Sequence, residues 1–140
     1  MTRFAHAFAL GLCALPLAGC ATIMPTEQAV SITGAIAYRE RIALPRTAQI
    51  EVELQDVSLA DAPSRTLARQ AFAANGQQVP ISFSLTVDQR QTDDRGRYSI
   101  SARITDSAGK LLFISDTHNA VIFDGRPNID MGMINLVKTR

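Results

Sequence analysis

The chain has 140 residues, with 14 Lys and Arg against 13 Asp and Glu and a formal net charge of +1. That balance leaves no electrostatic footprint for nucleic acid or an anionic lipid surface. The length supports one domain with a modest core and is too short for a second.

The chain opens MTRFAHAFALGLCALPLAGC, with Arg3 beside the terminal amine, an apolar run from Phe8 to Ala18, and then small residues. This is the layout of a bacterial secretory signal, and it is set aside from the fold. Leu17, Ala18, Gly19 and Cys20 resemble the lipobox of bacterial lipoproteins, in which a peptidase cuts before a cysteine that has received a diacylglycerol. The resemblance implies a signal peptide over 1–19 and lipidation of Cys20, which becomes the first residue of the mature chain. Two alternatives stay open. Ala7 to Met24 carries no charge and reaches the roughly 18 residues of a spanning-helix candidate, although Pro16, Ala18 and Gly19 argue against it. An ordinary signal cut after Ala18 or Cys20 would release a soluble periplasmic protein. Ala21 rather than Asp at the second mature position implies, by the sorting rule of Gram-negative lipoproteins, transport to the outer membrane. One acyl chain binds a membrane only reversibly, whereas two or more hold stably.

With the leader removed, Cys13 and His6 leave with it and Cys20 is committed to lipid. The mature domain then has no thiol for a disulfide, for nucleophilic catalysis or for a thiolate metal site. Residues 20–30 read as the lipidated N-terminus and a short tether, because ATIMPTEQA mixes polar residues with Pro25 and has no sustained period. At about 3.3 to 3.6 Å per residue the tether keeps the domain, residues 31–140, close to the bilayer.

From there apolar residues alternate at the period of a half-buried strand. SITGAIAYR places Ile32, Ile36 and Tyr38 on one face. QIEVELQDV places Ile50, Val52 and Leu54 on one face and Glu51, Glu53 and Gln55 on the other. SRTLARQAFA, Ser64 to Ala73, suits a helix by composition but is read as a strand, since ten residues between Pro63 and Asn75-Gly76 can alternate. VPISFSLTV sends Val79, Ile81, Phe83, Leu85 and Val87 inward, and RYSISARIT does the same with Tyr98, Ile100, Ala102 and Ile104. KLLFIS is almost continuously apolar, and IDMGMINLV alternates only in part. Turn signals at Leu44-Pro45, Ala62-Pro63, Asn75-Gly76, Asp94-Arg95-Gly96, Ala108-Gly109 and Asp124-Gly125 divide the chain into about seven strands. Short strands at this spacing without a long helix predict an all-β fold, a single antiparallel β-sandwich.

Gly34 to Gln70, Gly76 to Leu85 and Arg97 to Thr117 are similar to the YbaY family of bacterial lipoproteins, related to the pilotin-like lipoprotein YscW of type III secretion systems. The signature runs through Arg39-Glu40-Arg41-Ile42-Ala43-Leu44-Pro45, Asp56-Val57-Ser58 and Asp61-Ala62-Pro63, and the resemblance covers about Ser31 to Val137. It implies a single β-sandwich on a lipid anchor and, in the secretion-system relatives, a domain that binds a secretin subunit and helps its outer-membrane assembly. Ala120 stands where relatives are expected to carry a proline.

No constellation carries chemistry. His118 lies near Asp116 and Asp124 but lacks a second His or a G-x-S-x-G motif, and it reads as a surface residue at a strand end. DQRQTDDRG, Asp88 to Gly96, fails the spacing of a calcium loop, and Arg90 and Arg95 oppose a cation. Ser58 and Asp61 suit turn capping. Arg39, Arg41 and Arg46 around Glu40 read as a self-paired, solvated edge, or as a possible interaction surface for an acidic partner. The expected protein is therefore a non-enzymatic outer-membrane lipoprotein without metal or cofactor. It would face the periplasm, with an interaction or envelope-maintenance role and a protein or peptide partner but no nucleic acid. A pilotin-like chaperone for a secretin is the narrower alternative, and an envelope hydrolase with paired carboxylates the remote one.

Overall fold

The computed structural model describes residues 28–140. The expected signal peptide, with Leu17, Ala18, Gly19 and Cys20, and the expected tether up to residue 27 lie outside the described residues. Eight strands follow in chain order: β1 Ala29–Tyr38, β2 Gln49–Asp56, β3 Arg65–Ala73, β4 Ile81–Asp88, β5 Tyr98–Thr105, β6 Leu111–Ile114, β7 Asn119–Val121 and β8 Asn128–Lys138. One 3-10 turn, Gln89–Gln91, interrupts them after β4.

The fold is all-β, but it is not the antiparallel sandwich that the alternation predicts. The strands form one sheet in the order β3-β2-β5-β6-β8-β1-β4, with β7 beside the first half of β5. The sheet coils into a nearly closed barrel whose edge strands, β3 and β4, approach each other. There the Ser84 amide of β4 donates to Gln70 Oε1 of β3 at 2.9 Å, so a side chain spans the seam that a backbone ladder would otherwise close. One pairing is parallel, since β8 returns from the end of the chain to lie along β1, from Ser31 opposite Asn128 to Tyr38 opposite Leu136. Periodicity tells which face of a strand is buried; it does not tell which strand lies beside it.

The predicted inward residues are the core. Ile32, Ile36, Ile50, Val52, Leu54, Ala102 and Ile104 are fully buried, and Ile81, Phe83, Leu85 and Val87 alternate with exposed Ser82, Ser84 and Thr86. The ambiguous segment Arg65–Ala73 is a strand. Phe72 and Ala68 turn inward, and an extra residue, Leu67, shifts the register between Ala68 and Thr66 so that it also packs on the core. On the outer face Glu51 of β2 is ion-paired with Arg69 of β3 and Arg103 of β5, tying three strands. Such exposed pairs contribute little singly, at most about 1 kcal/mol.

Two more irregularities bend the barrel. Between Thr33 and Ala35 of β1, β8 advances from Asp130 to Met133, a bulge centred on Gly132, whose φ of 63° suits glycine. Facing it, Gly34 lies opposite Phe83, and a Cβ there would stand 2.9 Å from two ring carbons and 3.0 Å from the Gly132 carbonyl oxygen. The Phe83 ring takes the space that a side chain would need. Between β5 and β6 the register slips at Leu112, leaving Thr105 opposite Leu111 and Ile104 opposite Phe113.

The two ends of the barrel are distinct. Gln28, where the described chain begins, accepts the Gln89 amide at 2.9 Å, and β1 opens opposite the last residue of β4. The β2–β3, β4–β5 and β7–β8 loops gather at this same end, because Asp56, Tyr98 and Val121 share a rung. The β1–β2 loop, the β5–β6 turn and the last residues of β8 lie at the other end.

Candidate functional site

At the end away from Gln28, three segments distant in sequence enclose a groove of about 480 Å³. Ile42, Ala43, Leu44 and Pro45 of the β1–β2 loop form one wall. Lys110 and the first three residues of β6, Leu111, Leu112 and Phe113, form the second, and Lys138, Thr139 and Arg140 close it.

Each wall is held by named bonds. The Tyr38 ring stacks on Phe113, with centroids 4.0 Å apart and planes 11° from parallel. Its hydroxyl donates to the Ile42 carbonyl at 2.6 Å, so the last residue of β1 fixes the backbone four positions on. Burial, and then the charge of Glu40, pushes the Tyr38 phenol above the ordinary tyrosine value, which keeps it a donor. The Gln78 amide brackets Leu44, accepting its N–H at 2.8 Å and donating to its carbonyl at 3.2 Å, in the way a neighbouring strand would. Thr139 donates its hydroxyl to the Leu111 carbonyl at 2.5 Å and its amide to the Leu112 carbonyl at 3.0 Å. A loop that would otherwise be free is thereby a wall.

The lining is mainly apolar and its charged members are all basic: Lys110, Lys138 and Arg140. Ile42 keeps 48% of its surface exposed, while Leu44 and Phe113 keep 4% and 3%. An apolar floor with cations at the rim is suited to an apolar segment that carries carboxylates, held by burial and oriented by charge.

The predicted interaction residues are not brought into one patch. Arg41 and Arg46 are exposed and flank the groove wall in the chain. The Arg46 guanidinium lies over Gly76, in the turn where the Asn75 amide donates to the Arg46 carbonyl at 3.1 Å. Arg39 and Glu40 line a separate, more polar concavity of about 380 Å³, shared with Asp116, Asn119 and Asn135. The expected self-pairing is absent among the described residues: no ion pair joins Glu40 to these arginines, and its buried Oε2 has no hydrogen-bond partner.

Other expectations resolve locally. Ser58 does shape its turn: Asp56 Oδ1 accepts its amide at 3.0 Å and its hydroxyl at 2.5 Å, and Ser58 Oγ accepts the Arg97 amide at 2.9 Å. These bonds, the hydroxyl's first, hold the Asp56 carboxyl below its usual value. Asp61 is exposed in the same loop. In the Asp88–Gly96 loop, Asp88 Oδ1 caps the 3-10 turn through the Arg90 amide, and the Tyr98 hydroxyl accepts the Asp93 amide at 2.6 Å. His118 is exposed just before β7, and Ala120 sits within β7 opposite Ser99. Among the described residues no group of three or more His, Cys, Asp or Glu could hold a metal. Glu40 and Asp116 border one concavity, and Asp116 stands in solvent.

Of the groove residues, Ile42 lies in the family signature and Leu111 and Leu112 in the similar stretch Arg97 to Thr117, but Lys138, Thr139 and Arg140 carry no motif. The signal that marks the walls is apolar residues where alternation fails, in IALP and KLLFIS.

The described residues form a small, nearly closed β-barrel with an apolar, basic-rimmed groove at one end. Residues 27–133 match the family described as type III secretion system lipoprotein chaperone (YscW), and the chain belongs to it. Over 119 residues it is 38% identical to the uncharacterized lipoprotein YbaY of Escherichia coli strain K12, covering 85% of this chain and 62% of that relative's length. The solved structure of an alternative pilotin from the type II secretion system of Vibrio cholerae superposes with a TM-score of 0.70 at 51% identity. The match covers 79% of this chain and 99% of the pilotin chain. The protein is thus similar to an uncharacterized lipoprotein and to a pilotin, and is itself a lipoprotein of the YscW family.

Proposed function

We propose that the protein is an outer-membrane lipoprotein, attached through Cys20, whose domain acts as a non-enzymatic, pilotin-like binding module for a secretin or another envelope subunit. The observation that carries this reading is the 51% identity to a pilotin over 99% of the pilotin's length. The groove supplies the means. An apolar segment of the partner bearing acidic side chains lies against Ile42, Leu111 and Leu112, with Lys138 and Arg140 facing its carboxylates. Arg41 and Arg46, exposed on either side of the Ile42–Pro45 wall in the chain, raise the positive potential around the site, which speeds encounter more than it tightens the complex. Strand β1 spans roughly 30 Å at strand rise, so the groove opens well away from the end where the tether enters.

The test is recovery of outer-membrane partners by crosslinking from cells carrying the wild type, Ile42→Asp, Lys138→Glu with Arg140→Glu, or Cys20→Ala. The wild type should retain a secretin. The charge-reversed and Ile42→Asp forms should lose it while staying in the membrane, and Cys20→Ala should leave the membrane fraction. Unchanged secretin level and assembly in cells lacking the protein would refute the pilotin role.

A further inference from the structure

The end of the barrel at which Gln28 emerges carries exposed apolar side chains on its loops. Leu59 and Ile122 are exposed over 73% and 74% of their surface, the two highest values among the large exposed hydrophobic residues of the described chain. Leu59 begins the loop Leu59-Ala60-Asp61-Ala62-Pro63, every residue of which is exposed and four of which are apolar. Ile122 follows β7 directly. Both loops leave the same rung, where Asp56 and Val121 each pair with Tyr98, so the strand ends that carry them are two strand spacings apart, about 10 Å.

Both supports are firm. The Leu59 loop is fixed at its root by Ser58, bonded to Asp56 and to the Arg97 amide. Ile122 precedes Phe123, whose ring meets Tyr98 edge-on with centroids 5.1 Å apart. Neither tip packs on the core of its own domain.

What covers them follows from where the chain goes. From Cys20 to Gln28 is eight residues, at most about 29 Å of extended chain, so on the lipid-anchor reading this end must lie within that distance of the bilayer. We propose that the Leu59 and Ile122 loops rest in the phospholipid interface and fix the domain upright on the membrane, with the groove facing away. The charge of this end is mixed: Arg65, Arg95 and Arg97 stand with Asp61, Asp93 and Asp94, and Arg126 is paired with Asp124. Adhesion therefore comes from apolar burial at the interface and does not need anionic lipid. This inference rests on lipidation of Cys20.

The test uses the lipidated protein in vesicles of phosphatidylcholine alone and of phosphatidylethanolamine with phosphatidylglycerol. Leu59→Cys, Ile122→Cys and, as the far-end control, Ile42→Cys each carry an environment-sensitive fluorophore, and the lipids carry a headgroup-proximal nitroxide quencher. Labels at 59 and 122 should be quenched several-fold more than the label at 42, equally in both vesicle types and at high salt. Adding Leu59→Ser to the protein labelled at 122 should lower quenching there. Equal quenching at all three sites overturns the inference. So does a blue shift at 59 and 122 that rises with protein concentration without lipid quenching, which would mean that another copy covers them. Intact mass of the same sample reports lipidation of Cys20 separately, so loss of the anchor is distinguished from an anchored domain that does not lie down on these loops.

Discussion

Tyr38 joins the core to the groove, and replacing it separates two contributions. Its side chain is 7% exposed, stacked on Phe113 and bonded to the Ile42 carbonyl. Tyr38→Phe keeps the stack and deletes one hydrogen bond, a loss of about 1 kcal/mol. Tyr38→Ala also removes the ring from the barrel and leaves Phe113 without its partner, about 3 to 5 kcal/mol for an aromatic truncated in a packed core. Urea unfolding of the detergent-solubilised lipoprotein should show a lower midpoint at unchanged slope for both variants, and thermal melting should fall by about 4 °C for the phenylalanine form. A pH series adds a second signature. The folded phenol ionises above its unfolded value, so the unfolded chain loses its proton first as pH rises past about 10, and stability declines there. Tyr38→Phe should lack that part of the decline. If Tyr38→Phe melts with the wild type, the hydroxyl does not hold the Ile42 wall. If Tyr38→Ala costs no more than Tyr38→Phe, the stack is not the groove's foundation, and the construction of the site argued above fails.

Gly96→Ala should be among the most damaging single-methyl changes, because a Cβ would fall inside the Tyr98 phenol; a cost of about 1 to 3 kcal/mol, read by urea unfolding, is expected, and a neutral result would mean that Tyr98 is not fixed over this turn. Gly34→Ala should cost a similar amount against the Phe83 ring, and Phe83→Leu in the same chain should recover part of it, which a thermal melt of the single and double variants resolves. Asp56 has its carboxyl lowered by Ser58, so its contribution is present above the unfolded aspartate value and is lost as pH falls through the folded one. Acid unfolding below about pH 4 should therefore show a component missing from both Asp56→Asn and Ser58→Ala, and an identical acid limb in all three proteins would contradict it.

Strands with an unbroken period were legible. In β4 every second residue from Ile81 to Val87 is buried, and β1, β2 and β5 present the expected faces. β8 was legible only in part for a local reason: Ile129 and Met131 face the core before the bulge, and Ile134 and Leu136 face it afterwards. One inserted residue at Gly132 reverses the parity, so a strict period of two is broken in the sequence while the inward face stays continuous in space. Leu112 does the same in β6, which is why KLLFIS reads as an apolar run. The sandwich was a misreading of a different kind. Strand number and alternation are common to sandwiches and barrels, and what separates them here is the parallel return of β8 to β1 and the register slips that curl the sheet. The groove was hidden for the same reason. Its walls come from 42–45, 110–113 and 138–140, and the last two are brought together by the short β6–β8 ladder and the Thr139 bonds to Leu111 and Leu112. The conspicuous run YRERIALPR drew attention to its arginines, whereas the residues that line the groove are Ile42 to Pro45 between them.

Such an arrangement gives the barrel a direction. The strands that begin or end beside Gln28 carry loops with exposed Leu59 and Ile122, and the same strands, roughly 30 Å further along at strand rise, carry the rigid walls of the groove. A tether alone would let the domain tumble, so that the groove met the periplasm and the bilayer alternately. On the proposed attachment through Cys20, a lipid anchor combined with loop contact would restrict that freedom before any partner arrives. Ordering the binding surface in advance lowers the entropy lost on association, so holding the groove facing outward would favour capture of a partner. The Gln78 bracket, the Thr139 clamp and the Tyr38 stack then belong to the same design as the proposed membrane contact of the loops: each removes a motion that a partner's segment would otherwise have to arrest.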